Sequence, residues 1–591
     1  MPIKPYIKRF LIWRSRHISQ KNFVFILSLV IGLLAGLVSV IIKNITYVIQ
    51  WLLGQTNELF SNPVYYILPI IGLLIVYLIS RFISKKPVEH ALPSVMFALS
   101  KKGGLIKKES MYWPLITAPL TVGFGGSVGL LGPAIASAAA VSSNFSKLFH
   151  IDRKTRSLLI GCAAAGALAS IFKSPVAGII FAIEVFGLDL SFASLLPLLI
   201  ASVSSVLTSY FFLGDELLFT YMVTERFTLK DTLFYLLLGL GTGIASIYFS
   251  KIYFSISNFF SRFKPIHKLI IGGILIGIML YLVPPLYGEG FGFINNLLEG
   301  NHAAALGKTP FDAYADNIWV IIALLGGISV LKAMAMTTTL AAGGSGGIII
   351  PTLVMGSAFG NMVAKIINNL GLNFVVSETN FTLVGMAGLM AGVLHAPLTA
   401  IFLIAEITGG YELFVPLMIT VSMSFIMTKN AIDHTIYTKE LAERGELLSM
   451  DKDQSVLTLM NMDTVIETDF VILHPDMKLG QMLHKGVAQS KRNLFPVTDS
   501  ENRMVGIVLL DNIRDVMFDQ SLHDSTTVQT FMTLPPGYIH YEEDNMHKVM
   551  QKFQETGAWN LPVIKEGKYY GFISKSKLLT AYRQELINFT T

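Results

Sequence analysis

Two short loops, each ending in proline, carry the groups best suited to chemistry in this chain. They read Gly129-Leu-Leu-Gly-Pro133 and Gly347-Ile-Ile-Ile-Pro351. Glycine and proline at the start of a helix leave backbone N–H groups available, and the positive end of the helix dipole favours an anion there. Neither loop contains Asp, Glu or His, so a cation would find no side-chain ligand in them. The loops predict an anion path lined by backbone amides; the alternative is that their glycines only permit close helix packing.

The elements that position these loops belong to a membrane protein. Of 591 residues, 52% are hydrophobic and only 14% are charged, against about 25% charged in soluble domains, and the mean hydropathy is +0.58. Residues 451–591 carry 18 acids and 14 bases, whereas the first 450 residues carry 21 acids and 31 bases. We therefore expect a basic membrane domain followed by an acidic soluble tail.

The N-terminal segment is expected to stay in the cytoplasm ahead of a retained first helix. Six basic residues and no acid precede the apolar stretch Phe23–Ile42, and positive charge beside a span is kept inside. This stretch is long enough to cross a bilayer, unlike the shorter apolar region of a signal peptide. The basic residues are Lys4, Lys8, Arg9, Arg14, Arg16 and Lys21.

Further apolar stretches predict a helical transporter or channel. Several are long but broken by Gly and Pro, and a helix can stop inside a membrane only where the freed backbone groups line a cavity or are buried in protein. They lie at about 65–80, 112–124, 154–186, 192–213, 231–250, 268–285, 317–341, 347–370, 380–408 and 411–429.

An enzyme is not expected, because the sequence shows no catalytic triad and no Walker loop. A metal site is not expected either, since His302, His395, His434 and His540 lie far apart without ligand spacing.

An internal repeat divides the membrane part into two halves, about residues 22–215 and 230–440. Gly161–Phe186 and Gly385–Thr408 each combine a run of small residues, a Ser-Pro or Ala-Pro step and an apolar helix with one Glu near its end. A loop ending in proline precedes each copy. The landmarks that share a spacing of 222 are Pro175 with Pro397 and Glu184 with Glu406. Two halves meeting at a midplane site are expected from such a repeat.

In these landmarks the chain resembles the CLC chloride channels and chloride/proton antiporters with a C-terminal pair of CBS domains, from about residue 20 to residue 588. The resemblance rests on Leu92-Pro93, the two glycine loops, Gly343-Gly344-Ser345-Gly346 before the second loop, and Tyr437 in His434-Thr-Ile-Tyr437. It implies a multi-span all-α membrane domain with an inverted internal repeat and many broken helices. It also implies a homodimer with one anion pore in each subunit.

The resemblance further implies which groups bind the anion. The amides of Gly129 to Gly132 would form an outer site, and the amides of Ile348 and Ile349 would form a central site with the Tyr437 hydroxyl. Aligned on Pro93, His90 takes the place where the family commonly has a hydroxyl for the central anion. The implied set is His90, Gly129, Leu130, Leu131, Gly132, Ile348, Ile349 and Tyr437.

Two departures from the family pattern bear on proton coupling. The family usually has a gating glutamate before the last glycine of the first loop, where this chain has Leu131. The antiporters carry a second glutamate on the inner proton route, and the matching position here is Val185. Neither leucine nor valine can take up a proton.

Three hypotheses follow from these departures. The leading one is a passive, proton-uncoupled chloride channel whose flux rises as pH falls through protonation of His90. The second is a chloride/proton antiporter that uses substitute carboxylates such as Glu89, although a helix-end or loop position in water is the simpler interpretation of that residue. The third is a scaffold plugged by Leu131 that acts as a nucleotide sensor.

The tail contains a second repeat that resembles tandem CBS domains, at about 457–516 and 527–588. Asn493-Leu-Phe-Pro-Val497 and Asn560-Leu-Pro-Val563 are each preceded by an amphipathic helix and followed by a second strand. The helices are predicted at Leu479–Ser490 and Asn545–Thr556.

The nucleotide motif of the tail is incomplete. In the family, a Ser or Thr and an Asp three residues later often hold the ribose of an adenine nucleotide. Here the pairs are Leu509 with Asn512 and Ser574 with Lys577. A role in bracing a dimer is therefore favoured, with adenine nucleotide at Asn512 and Ser574 as the alternative.

The predicted division is a cytoplasmic N-terminus at 1–21, a membrane domain at 22–445 and a cytoplasmic α/β CBS pair at 446–591. The expected partners are chloride and similar anions, membrane lipid and a second copy of the chain, with no nucleic acid and no required cofactor. A bacterial inner membrane is the expected location, with both termini in the cytoplasm.

Overall fold

The computed structural model describes most of the chain and divides it into two compact units, Met1–Glu443 and Arg444–Thr591. The described residues are 13–14, 16–54, 63–85, 91–188, 191–214, 218–219, 227–307, 309–311, 317–371, 375–439, 442, 456–458 and 460–590.

The first unit is helical throughout its regular structure. Its helices are α1 (Gln20–Leu52), α2 (Leu68–Leu78), α3 (Ala91–Lys101), α4 (Trp113–Gly123), α5 (Leu131–Leu148), α6 (Arg153–Phe172), α7 (Pro175–Phe186), α8 (Phe192–Leu213), α9 (Thr232–Ser261), α10 (Pro265–Leu282), α11 (Phe291–Leu298), α12 (His302–Leu306), α13 (Ile318–Ala341), α14 (Ile349–Asn369), α15 (Glu378–Leu394), α16 (Pro397–Ile407) and α17 (Phe414–Ala431). In the described part of the chain, eight helices are long and apolar enough to cross a membrane by length and composition. The all-α membrane fold predicted from the sequence is confirmed.

The apolar stretches at 154–186 and 380–408 are each broken into two helices at equivalent positions. The residues that cap the C-terminal ends of α6 and α15 are Lys173 and His395, both in the left-handed conformation with φ of 57° and 53°. Proline then opens the next helix in each half, at Pro175 and Pro397, because its missing N–H is not needed in the first turn. Local backbone chemistry therefore explains why these helices stop within the apolar region.

Small residues let the helices around the loops pack closely. A methyl group added at Gly360 of α14 would come within 2.0 Å of the Phe381 carbonyl oxygen of α15. Side chains therefore cannot be added at this contact without moving the backbone. Some glycines of this chain therefore serve to let helices pack closely, as small residues do between helices in membranes.

The second unit is α/β, as predicted. Its strands are β1 (Ile466–Glu467), β2 (Leu494–Thr498), β3 (Met504–Leu509), β4 (Ile539–His540), β5 (Asn560–Lys565) and β6 (Lys568–Ser574), and its helices are α18 (Leu479–Met482), α19 (Leu510–Ile513), α20 (Met546–Thr556) and α21 (Lys575–Thr590). A four-stranded sheet has the order β1-β6-β5-β4, in which only β4 and β5 are parallel, and β2 pairs with β3 in an antiparallel hairpin.

One helix of this unit departs from the sequence prediction. The α-helix predicted at Leu479–Ser490 ends at Met482 and continues as a π-helical turn over Leu483–Val487. Glycine is a poor helix former, and both Gly480 and Gly486 lie in this segment. The hydrophobic periodicity of the sequence identified which face of this segment is buried. It could not show that the α-helix gives way to a π-helical turn.

Candidate anion site

The two glycine loops lie side by side and are joined by backbone hydrogen bonds. Gly129 N–H donates to the Gly347 carbonyl at 3.0 Å, and Gly347 N–H donates to the Gly129 carbonyl at 2.7 Å. This reciprocal pair brings the N-terminus of α5 next to the N-terminus of α14. The two halves of the repeat therefore meet at these loops.

Each of these helices begins with backbone N–H groups that donate a hydrogen bond to no described residue. The first amide of α5 bonded to the preceding turn is Ala134, which donates to Leu130 at 3.0 Å, and the equivalent amide of α14 is Thr352, which donates to Ile348 at 3.1 Å. The N–H groups before them precede the first helical bond. Among the described residues, none offers an acceptor to the N–H of Leu131, Gly132, Ile349 or Ile350.

The loops touch so closely that a methyl group added at Gly347 would come within 2.9 Å of the Gly132 backbone nitrogen. A methyl group added at Gly132 would come within 3.1 Å of the Gly347 Cα atom and 3.9 Å of the Ala91 Cβ atom. The start of α3 therefore also approaches this point. Three helix N-termini, those of α3, α5 and α14, converge around Gly132, and their dipoles favour negative charge there.

Tyr437 adds a hydroxyl to the same region. Its side chain is 6% exposed, and its hydroxyl lies beside the backbone N–H of Ile348 without forming a hydrogen bond. A buried hydroxyl without a partner is costly. The arrangement leaves an O–H donor available to a small acceptor.

The leucines of the first loop pack into the protein. Leu130 is 2% exposed and Leu131 is 1% exposed, and both belong to the main apolar core. Leu131 begins α5, so its backbone N–H belongs to the helix start while its side chain is buried. Val185, near the end of α7, is only partly buried.

A carboxylate that the sequence analysis missed occupies the first loop. The Glu289 Oε1 atom accepts a hydrogen bond from the Leu130 N–H at 2.9 Å. The side chain comes from the segment between α10 and α11, where Gly288 N–H also donates to the Gly125 carbonyl at 3.4 Å. Part of the Glu289 surface is accessible. The loop that lacks a carboxylate of its own thus receives one from the second half of the chain.

A buried lysine fixes the segment that carries Glu289. Lys332 is fully buried in α13, and its Nζ atom donates to the carbonyl oxygens of Leu286 at 3.2 Å and Gly288 at 3.1 Å. Buried charged groups in membrane helices are costly and are kept where they have a partner. Lys332 therefore fixes the backbone at Leu286 and Gly288, just before Glu289.

The two glutamates of the internal repeat cap each other's helices. Glu184 of α7 accepts from the N–H groups of Leu398 at 2.9 Å and Thr399 at 2.8 Å, at the start of α16. Glu406 of α16 accepts from the N–H groups of Val176 at 3.0 Å and Ala177 at 2.9 Å, at the start of α7. A carboxylate at a helix N-terminus is favourable. Both glutamates therefore hold α7 and α16 together.

A cavity lies next to the start of α3. Its lining includes Ala91, Ser94, Thr117, Ala136 and Ser345. Ala91 is also the α3 residue closest to Gly132, so the cavity borders the point where the helix starts converge. The predicted pore residue His90 and the neighbouring Glu89 lie outside the described residues.

The two predicted nucleotide-binding residues of the tail already have partners. The Asn512 Nδ2 atom donates to the Phe531 carbonyl at 3.4 Å. The Ser574 Oγ atom accepts from the Lys577 N–H at 3.2 Å, at the start of α21. Both polar side chains therefore take part in the local structure.

Comparison with known proteins identifies both units. A family model described as voltage gated chloride channel matches residues 71–429, and the CBS domain model matches residues 463–519 and 528–584. A voltage-gated ClC-type chloride channel ClcB of Salmonella typhimurium is 28% identical over 360 residues, which are 60% of this chain and 81% of that protein. ClcB of Escherichia coli is 27% identical over 371 residues, which are 62% of this chain and 83% of that protein.

Solved structures share the fold at lower sequence identity. A slow cyanobacterial Cl⁻/H⁺ antiporter has a TM-score of 0.62 and 20% identity, covering 73% of this chain and 99% of its own. A eukaryotic CLC transporter has a TM-score of 0.58 and 17% identity, covering 95% of this chain and 99% of its own. A CLC-type fluoride/proton antiporter has a TM-score of 0.57 and 22% identity, covering 71% and 98%.

Proposed function

The chain belongs to the voltage-gated chloride channel family and carries a pair of CBS domains, and we propose that it conducts chloride passively, without coupling chloride to protons. The observation that carries the proposal is the set of unpaired N–H groups at the starts of α5 and α14, beside the unpartnered Tyr437 hydroxyl. Amide and hydroxyl donors of this kind replace the water around a dehydrated anion. Chloride and similar anions are the proposed permeant ions.

Two substitutions support conduction without proton coupling. Leu131 and Val185 stand where the resemblance expects the outer and inner glutamates, and neither can be protonated. Glu184, the carboxylate next to Val185, accepts three hydrogen bonds at the start of α16, two from backbone N–H groups and one from the Thr399 hydroxyl. A carboxylate tied in this way favours a structural role over proton transfer.

A proton-coupled antiporter is the second candidate, and one contact favours it. Glu289 places a carboxylate on the Leu130 N–H of the first loop, so the pathway has an ionisable group after all. The two candidates differ in whether movement of chloride drives movement of protons. The third hypothesis, a plugged nucleotide sensor, has no comparable support, because Asn512 and Ser574 both have internal partners.

The remaining parts of the proposal follow the family. The functional unit is a homodimer in a bacterial inner membrane, with a pore in each subunit and both termini in the cytoplasm. The CBS pair braces this dimer, and nucleotide at Asn512 and Ser574 stays a prediction. His90 also stays a prediction as a ligand of the central anion.

Tyr437→Phe is expected to weaken chloride binding roughly tenfold or more. A hydrogen bond to a charged group contributes about 1.5–3 kcal/mol, and about 1.4 kcal/mol changes a dissociation constant tenfold. The measurement is calorimetric titration of the purified protein with chloride. Tyr411→Phe is the matched control, because Tyr411 is 60% exposed in the loop before α17. An unchanged chloride affinity in Tyr437→Phe would remove this hydroxyl from the pathway.

A further inference from the structure

We propose that Glu289 is the gate of this pathway: its carboxylate, supplied by the second half of the chain, competes with chloride for the Leu130 amide and releases it on protonation. The inference deepens the proposed function and rests on it, since it concerns control of the same anion path. It assigns a role to a residue outside both glycine loops.

Glu289 contacts the first glycine loop directly. An ionised carboxylate forms a short, charge-assisted hydrogen bond with a backbone N–H, and Glu289 forms one of 2.9 Å with Leu130. Glu289 is the described carboxylate that accepts from an amide of the Gly129–Pro133 or Gly347–Pro351 loop. A chloride ion and the carboxylate cannot share this N–H, and their charges repel. An ionised Glu289 therefore holds the position that an anion would take.

The fold holds the segment that carries Glu289 against the segment that leads into the first loop. Lys332 fixes the carbonyl groups of Leu286 and Gly288. On the other side, Gly125 has φ of +92°, and a methyl group there would come within 2.1 Å of the Tyr287 ring. The segment that carries Glu289 therefore lies directly on the segment that leads into the first loop. The carboxylate meets the Leu130 amide because the two backbones are held together.

Glu289 is less buried than the leucines of the first loop. Leu130 and Leu131 are almost fully buried, whereas part of the Glu289 surface is accessible. Gating needs a route by which protons reach the carboxylate from water, and the accessible part of this residue is where such a route would begin. The side chain also has rotatable bonds with which to leave the amide once its charge is lost.

The described charged groups that act on Glu289 are both positive. Lys43 of α1 and Lys332 of α13 are the described charged residues that influence it electrostatically. Both lie on helices packed in the same unit, and Lys43 also donates to the Ile171 carbonyl at 3.2 Å. Their positive charges favour the ionised carboxylate. The same positive charges would also favour a chloride ion once the carboxylate has left.

The chemical step is a simple proton transfer. A proton from water adds to the Glu289 carboxylate, which loses its charge and its strong hold on the Leu130 N–H. The amide is then available to chloride, and loss of the proton reverses the change. Because Val185 offers no second acceptor, the proton returns to the side from which it came. The result is acid-activated conduction without exchange.

The experiment compares Glu289→Gln with wild type in chloride efflux from liposomes between about pH 4.5 and pH 7.5, a range that spans ordinary carboxyl and imidazole titration. We expect wild-type efflux to rise roughly tenfold on acidification. Glu289→Gln, which resembles the protonated side chain in shape and charge, should conduct at neutral pH as wild type does in acid, with little pH dependence. The control is Glu412→Gln, an exposed carboxylate before α17 that should retain the wild-type profile.

One further variant and one binding measurement make the result decisive. His90→Ala should keep the acid activation; acid activation that is lost in His90→Ala but kept in Glu289→Gln would overturn the proposal. Calorimetric titration at neutral pH should give chloride binding roughly tenfold tighter in Glu289→Gln than in wild type. Unchanged affinity would overturn the gate even if no variant conducts, whereas absence of flux in every variant would overturn only the proposed conduction.

Discussion

Leu131→Glu is expected to reduce chloride efflux at neutral pH roughly tenfold or more. The new carboxylate begins α5 beside the N–H groups of residues 131 and 132, which have no acceptor in the described part of the chain. A charge-assisted bond there is worth about 1.5–3 kcal/mol, which corresponds to roughly 10–100-fold against chloride. The measurement is the initial rate of chloride efflux from liposomes, normalised to folded protein.

Three comparisons sharpen this prediction. Leu131→Gln has nearly the same shape without the charge and should retain more flux than Leu131→Glu. Acidification should restore efflux through Leu131→Glu by neutralising the side chain. Combining Leu131→Glu with Glu289→Gln moves the carboxylate from one half of the chain to the other and should leave an acid-activated channel. Full efflux through Leu131→Glu at neutral pH would show that residue 131 does not line the path.

Replacing Glu406 by Leu is expected to destabilise the membrane unit by about 2 kcal/mol, because the N–H groups of Val176 and Ala177 lose a charged acceptor. Glu184→Leu should have a similar effect through Leu398 and Thr399. Thermal unfolding in detergent measures the loss. Glu412→Leu, at an exposed site, is the control and should leave the melting temperature unchanged.

The same variants separate a structural role from a proton-carrying one. Chloride flux per folded molecule should keep its wild-type pH dependence in Glu184→Leu and Glu406→Leu. A Glu184→Leu variant with unchanged stability and altered pH dependence would instead identify Glu184 as a proton station. The reciprocal hydrogen bonds predict that both variants behave alike.

Much of the fold could be predicted because its signals are local. The apolar stretches, the breaks before Pro175 and Pro397 and the two glycine loops all follow from short runs of residues, and the repeat showed that they occur twice. The repeat also placed Glu184 and Glu406 at equivalent helix ends. It could not show that each caps the other's neighbouring helix, since that depends on how α7 and α16 pack.

Glu289 escaped the sequence analysis because its contact is not local. It lies 159 positions from Leu130, the residue whose amide it accepts from. A signal was nevertheless present, since Glu289 is the one acid between Asp231 and Glu299, and Lys332 is the one charged residue within Ile318–Ala341. Isolated charges in apolar regions indicate functional positions. The family pattern directed attention to position 131, where the carboxylate is missing, rather than to the segment that supplies one.

The most direct test of passive conduction is to record chloride and protons together. Liposomes containing the wild-type protein are given a chloride gradient, with a potassium ionophore to carry the balancing charge, and internal pH is followed during efflux. At about pH 4.5, where the proposed gate at Glu289 is open, passive conduction predicts fast chloride efflux with no protein-dependent proton movement. Uphill proton transport in a fixed ratio to chloride would contradict it and establish an antiporter.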